Sequence, residues 1–216
     1  MPLLPKPAHF IPRPRTQAAR TAAARLAVML LGAPAMAAAA SDNNTGFYAQ
    51  GGDSIRQGRD STTLFVGVML PRDNEGPRSS SVTSYWELFY GQWHGPQASG
   101  FNKSFNQFGA AVMWRKRFDD NRSAWFGEGG LGISYLDGDY SIPDGRIFGS
   151  RVTFNGRLGV GQSFGERAEH ELSLNYLHFS NGGIKKPNPG TDLLSLRYAV
   201  RHRTQGAAGF ARLTTT

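Results

Sequence analysis

After residue 41 the chain alternates apolar and polar residues in blocks of about ten, and this period of two restricts it to strands with two unlike faces. A helix would repeat its apolar positions about every 3.6 residues, and no long segment does so. From Thr62 the even positions are Thr62, Leu64, Val66, Val68 and Leu70. Val82, Trp86, Leu88 and Tyr90 then oppose Thr83, Tyr85, Glu87 and Gly91, and Phe108, Ala110, Val112 and Trp114 oppose Gln107, Gly109, Ala111 and Arg115. Trp125, Leu131, Ile133 and Tyr135 oppose Glu128, Gly130, Gly132 and Ser134. Val152, Phe154, Leu158 and Val160 oppose Arg151, Thr153, Asn155, Arg157 and Gly159. Leu172, Leu174 and Tyr176 face away from Glu171, Ser173 and Asn175, and Leu194, Leu196, Tyr198 and Val200 from Ser195, Arg197, Ala199 and Arg201. A weaker block, GFYAQGG at 46–52, makes eight.

Turn-forming stretches separate the blocks: DNEGPRSSS, HGPQASG, DDNR, DGDYSIPDG, GERAEH and NGGIKKPNPGT. The polar face carries Glu87, Arg115, Glu128, Arg157 and Arg197 among glycines and small polar residues, whereas the apolar face is uniformly large, with aromatics near the block ends. A soluble barrel buries its apolar face; charges facing inward and an aromatic-rimmed apolar band facing outward describe a membrane barrel. The expected class is therefore all-β, an eight-stranded antiparallel transmembrane β-barrel of the outer-membrane type. Its lumen would be filled by side chains, with Arg and Glu paired and no pore. The competing reading is a soluble β-sandwich or lipocalin-like barrel with a ligand inside.

The first forty residues stand apart. Lys6, Arg13, Arg15, Arg20 and Arg25 occur with no acid, followed by LAVMLLGAPAMA and AAAA. A basic start, a short apolar run and small residues at the exit describe a secretory signal peptide, cut after Ala37 or Ala40. The apolar run is shorter than the roughly 20 residues a membrane-spanning helix needs. Residues 41–216 form the barrel with a short tail, TQGAAGFARLTTT, after Arg203. Of 24 Lys and Arg the leader takes five, so 19 stand against 16 Asp and Glu, and the basic balance of the whole chain is weak support for nucleic-acid binding. With no Cys there is no disulfide framework or thiolate nucleophile, and the five His lack metal-ligand spacing.

Parity singles out one hairpin. His178 and Ser180 continue the outward row Leu172, Leu174, Tyr176, and Asp192 heads the row Leu194, Leu196, Tyr198. Across the hairpin closed by residues 181–191, His178 and Asp192 fall within reach of a cross-strand pair, with Ser180 two residues on and on the same face. A serine hydroxyl becomes a nucleophile when an imidazole takes its proton, and a carboxylate on the far ring nitrogen fixes the tautomer. The turn Asn181-Gly182-Gly183 offers a side-chain amide and unobstructed backbone N–H groups to an oxyanion. Rim residues bonded to water or lipid headgroups would show the same H-x-S spacing.

The run HFSNGGIKKPNPGTD at 178–192, with Tyr176 before it, closely resembles the signature of the lipid A 3-O-deacylase (PagL) family. The resemblance covers about the last forty residues of the barrel and implies an outer-membrane barrel with a Ser-His-acid triad on its lipid-facing wall. It implies Ser180 as nucleophile, His178 as general base and Asp192 as the orienting acid, where well-known members carry Glu. It further implies Asn181 at the oxyanion site, supported by Gly182, Gly183 and Asn188, with no metal and no cofactor. Lys185 and Lys186 are either contacts to lipid A phosphates or a solvated pair of loop charges.

If both chain ends lie in the periplasm, odd-numbered strands run outward and Ser180 sits at the outer-leaflet interface of the bacterial outer membrane. The expected reaction is hydrolysis of the ester at position 3 of lipid A, releasing a 3-hydroxy fatty acid. Expected partners are lipid A within lipopolysaccharide as substrate and the surrounding outer-membrane lipids, with no nucleic acid; a homodimer is left open. A non-catalytic barrel serving envelope stability or adhesion is the alternative from another class. A lipid A acyltransferase is a third, which an interior read as polar and filled does not favour.

Overall fold

The computed structural model describes residues 45–55, 61–72, 82–96, 101–120, 122–140 and 148–202. The leader, the DNEGPRSSS connection and the tail after Arg203 fall outside them. Eight strands follow one another: β1 (Gly46–Ser54), β2 (Thr62–Pro71), β3 (Val82–Pro96), β4 (Asn102–Arg117), β5 (Trp125–Leu136), β6 (Val152–Phe164), β7 (His170–Ser180) and β8 (Thr191–Arg201). Each pairs antiparallel with the next, and β1 closes on β8 from Gly46↔Arg201 to Ser54↔Leu193. Closure leaves no sheet edge, which a strand in hydrocarbon requires because lipid cannot satisfy a free N–H or C=O.

The faces follow the parity of the sequence. Leu88, Leu131, Leu158 and Leu174 are exposed on the outside, while Glu87, Glu128, Arg157 and Ser173 are buried in the lumen. On the outside Tyr90, Phe108 and Tyr135 stand opposite one another across β3, β4 and β5, with Phe154 and Tyr176 farther round. Trp114, Trp125 and Phe164 ring the other end. An apolar band between two aromatic girdles, around a polar lumen, is what a bilayer selects.

Inside, the charges form one network. Glu87 accepts bonds from Tyr48 (2.7 Å), from both terminal nitrogens of Arg157 (2.8 and 2.5 Å) and from Arg197 (2.9 Å). Arg115 spans Glu128 at 2.6 Å and Glu171 at 2.7 Å, and Arg201 Nε approaches Glu171 at 3.2 Å. Tyr85 O–H also donates to Glu128 at 2.8 Å. The partners come from strands far apart in sequence, so the network ties the cylinder across its bore.

Two features depart from the sequence reading. The lumen is polar over only part of its length: toward the end that carries the β5–β6 and β7–β8 loops, Phe65, Trp93, Phe105 and Phe179 pack inward, and Tyr140 and Phe148 fold down onto them. Edge-to-face contacts such as Trp93–Phe179, 5.1 Å between centroids, close that end with large rings that have no charge to satisfy. The HGPQASG stretch, expected to be loop throughout, begins as strand: His94, Gly95 and Pro96 pair with Ser104, Lys103 and Asn102. His94 Nδ1 lies 3.0 Å from Ser104 Oγ, and both are exposed. A hairpin reaching beyond the apolar band needs no alternation, so its strand character leaves no trace in the pattern.

Candidate active site

β7 and β8 set His178 directly opposite Asp192 and Tyr176 opposite Leu194. The side chains use that register. His178 Nδ1 lies 2.7 Å from Asp192 Oδ1, and Tyr176 O–H donates to the same oxygen, also at 2.7 Å. The His178 side chain keeps 43% of its accessible surface, while that of Asp192 keeps 6%. The acid is thus covered and the base open on the outside of the barrel. A carboxylate on Nδ1 fixes the tautomer that leaves Nε2 to accept a proton.

Ser180 ends β7 on the same outward row, half-exposed, across from Phe154 of β6. Its Oγ accepts the Gly182 N–H at 3.4 Å; no hydrogen bond joins it to His178 among the described residues. Two strand positions separate the pair, roughly 7 Å between Cα atoms. Gly190 closes the other side of the imidazole: a Cβ there would sit 3.4 Å from His178 Cε1 and 3.9 Å from Nε2, at a left-handed φ of +59°.

The β7–β8 loop is held by its own asparagines. The Asn181 side chain turns inward and is buried, with Nδ2 donating to the carbonyls of Lys185 and Pro187 and Oδ1 accepting from Gly183 N–H at 2.9 Å. Asn188 Oδ1 accepts the Asn181 backbone N–H at 2.9 Å. This corrects the expectation that the Asn181 amide faces an oxyanion: its donors are used within the loop, and so is the Gly183 N–H. A short amide preceding two glycines at φ +64° and +79° favours such an Asx turn. The Gly182 N–H points to Ser180 Oγ. Lys185 and Lys186 are exposed at the loop's tip. The β5–β6 connection docks beneath it, Gly149 N–H donating to Pro187 C=O at 2.8 Å.

Tyr176 was missed as a member of the site. Its row reads as a lipid-facing girdle, where a tyrosine is ordinary; the available signal was its place two residues before His178, diagonal to Asp192.

The lipid A 3-O-deacylase (PagL) family matches residues 60–201. The chain belongs to that family. One relative is the lipid A deacylase PagL of Pseudomonas aeruginosa, 27% identical over 145 residues, which are 66% of this chain and 80% of the relative. The Bordetella bronchiseptica lipid A deacylase PagL is 41% identical over 74 residues, 34% of this chain and 39% of that protein. A crystal structure of the outer-membrane enzyme PagL superposes with a TM-score of 0.54 at 23% identity, over 72% of this chain and 98% of that one, a likeness of fold. Family and inside-out architecture agree on the location: the protein is an integral barrel of the outer membrane.

Proposed function

We propose that the protein is a lipid A 3-O-deacylase, a serine esterase that hydrolyses the ester-linked 3-hydroxyacyl chain at position 3 of lipid A from within the outer leaflet. The observation that carries this is the His178–Asp192 pair on the lipid-facing wall, two residues from a serine on the same face, in a chain of this family. A soluble substrate gains nothing from a nucleophile that opens sideways into lipid. A lipid diffusing in the leaflet presents its ester at that level. Residues 1–40 serve as the export signal and are removed.

In the reaction Ser180 Oγ rotates to meet His178 Nε2, gives up its proton and attacks the ester carbonyl. The charge that develops on the carbonyl oxygen is met by the Gly182 N–H, the donor nearest Ser180 Oγ. Collapse breaks the bond to the sugar oxygen, which takes the proton from His178 and leaves an acyl-serine. Water, deprotonated by His178, then attacks the acyl carbon, releases the 3-hydroxy fatty acid and restores Ser180. Asp192 stays ionised throughout and steadies the imidazolium. Lys185 and Lys186, exposed beside the site, attract the lipid A phosphates.

Lipid A from a host with full-length lipopolysaccharide, analysed by mass spectrometry after expression of the chain, should lose the mass of one 3-hydroxyacyl group. Ser180→Ala and His178→Ala should each return the unmodified mass while the barrel keeps its heat-modifiable mobility. Unmodified lipid A with the wild-type chain assembled in the membrane would end the proposal in favour of a structural barrel.

A further inference from the structure

The acid of the site is held from two sides. Asp192 Oδ1 takes His178 Nδ1 from directly across the hairpin and Tyr176 O–H from the diagonal position, both at 2.7 Å. An aspartate carboxylate turns readily about its last torsion, so a single contact leaves its plane undefined. Two donors meeting one oxygen from positions a turn of pleat apart define it. On a wall that faces lipid more than water, side chains at neighbouring strand positions supply such partners.

We infer that Tyr176 is a positioning residue of the site: its phenol fixes the short carboxylate of Asp192, and so sets the orientation of His178. This rests on the esterase reading above. Tyr176 does not touch the reacting atoms, and its effect passes through Asp192. On the β6 side His178 faces Gly156, flanked by Phe154 and Leu158, none of which titrates. On the β8 side Asp192 is followed on the outward row by Leu194 and Leu196, and the exposed Asp53 of β1 stands across from Leu194. The nearby loop contributes the exposed Lys185 and Lys186.

The girdle offers a control for the inference. Tyr90, on the same belt, donates to Asn106 Oδ1 at 2.6 Å, far from any base. Tyr90→Phe removes an equivalent hydroxyl from the lipid-facing wall without touching the site.

The experiment uses the full-length chain, extracted in detergent, with lipopolysaccharide micelles as substrate. Tyr176→Phe keeps the ring and the girdle. It should lower kcat about tenfold, the worth of a hydrogen bond to a charged group, and leave KM within about twofold. Tyr90→Phe should match wild type in both. In an Asp192→Ala background, Tyr176→Phe should cost nothing further. Wild-type kcat in Tyr176→Phe would overturn the inference, and so would a full additional loss on top of Asp192→Ala. Either result would leave the esterase reading standing, since that reading is tested separately by Ser180→Ala and His178→Ala.

Discussion

The lumen and the outer wall both hold polar clusters, and they are built in opposite ways. The Arg–Glu network is drawn from β3, β4, β5, β6, β7 and β8, and each of its carboxylates meets more than one partner. The cluster on the wall comes from one hairpin, with its base and acid paired directly across two strands and its serine two residues away. Charges that hold a cylinder together must reach across it. Charges that do chemistry must leave one group free, and a single hairpin places them with little help from the rest. The wall cluster is open where the lumen is closed: the His178 side chain is 43% exposed, while that of Glu87 has no accessible surface.

That difference predicts a double dissociation. Ser180→Ala should remove deacylation by a factor of roughly a thousand or more, with unfolding in urea unchanged. Glu87→Ala should do the reverse, leaving Arg157 and Arg197 without their shared carboxylate and costing about 3–5 kcal/mol of stability. The two are compared by lipid A mass spectra and by the urea midpoint of the refolded barrel. A stable Glu87→Ala barrel would show the lumen network to be expendable and collapse the comparison.

Two glycines of β6 sharpen it. Gly159 points inward, and a Cβ there would collide with Asn175 Oδ1 and lie 3.3 Å from the Leu174 carbonyl. Gly156 points outward beside His178, and a Cβ there would meet only Leu131 Cδ2, at 3.8 Å. Missing side-chain bulk leaves Leu131 68% exposed, more than Leu88 at 46% or Leu174 at 47% on the same belt. Gly159→Ala should therefore impair assembly. Gly156→Leu should assemble normally, since it adds apolar surface toward lipid, yet lower turnover about tenfold by filling the space beside the base. Folding yield and initial rates on lipopolysaccharide distinguish the outcomes; full activity in Gly156→Leu would mean that the substrate never occupies that space.

Much of this was legible in the sequence, and what was not has a physical cause. The eight strands could be read because lipid outside and charge inside impose unlike faces, as in Leu172, Leu174 and Tyr176 against Glu171, Ser173 and Asn175. The aromatic tier could not, because Phe65, Trp93 and Phe179 are large residues on the face that elsewhere is polar: beside Phe65 both faces are apolar, and beside Trp93 and Phe179 the outward residues are polar, so the sign of the period is lost or reversed. In the site, the facing of His178 and Asp192 follows from parity and hairpin register alone. The turning-in of the Asn181 amide depends on carbonyls supplied by Lys185 and Pro187, a matter of loop conformation that no periodicity encodes. Tyr176 was hidden by its neighbours: one tyrosine in a row of leucines reads as girdle.

The smallest expected effect lies at the mouth of the site. Lys185 and Lys186 are exposed, and neither contributes to the lumen network or to the wall cluster. Replacing both with alanine should leave the urea midpoint and kcat unchanged. It should raise KM for lipopolysaccharide roughly fivefold at low ionic strength, because two cations near a phosphate gather substrate without touching the ester. Near 1 M salt, where the screening length falls to about 3 Å, the variant and the wild type should converge. A KM ratio that does not change with salt would assign the lysines to the fold of the loop, and the wall cluster would then meet its lipid through apolar contact alone.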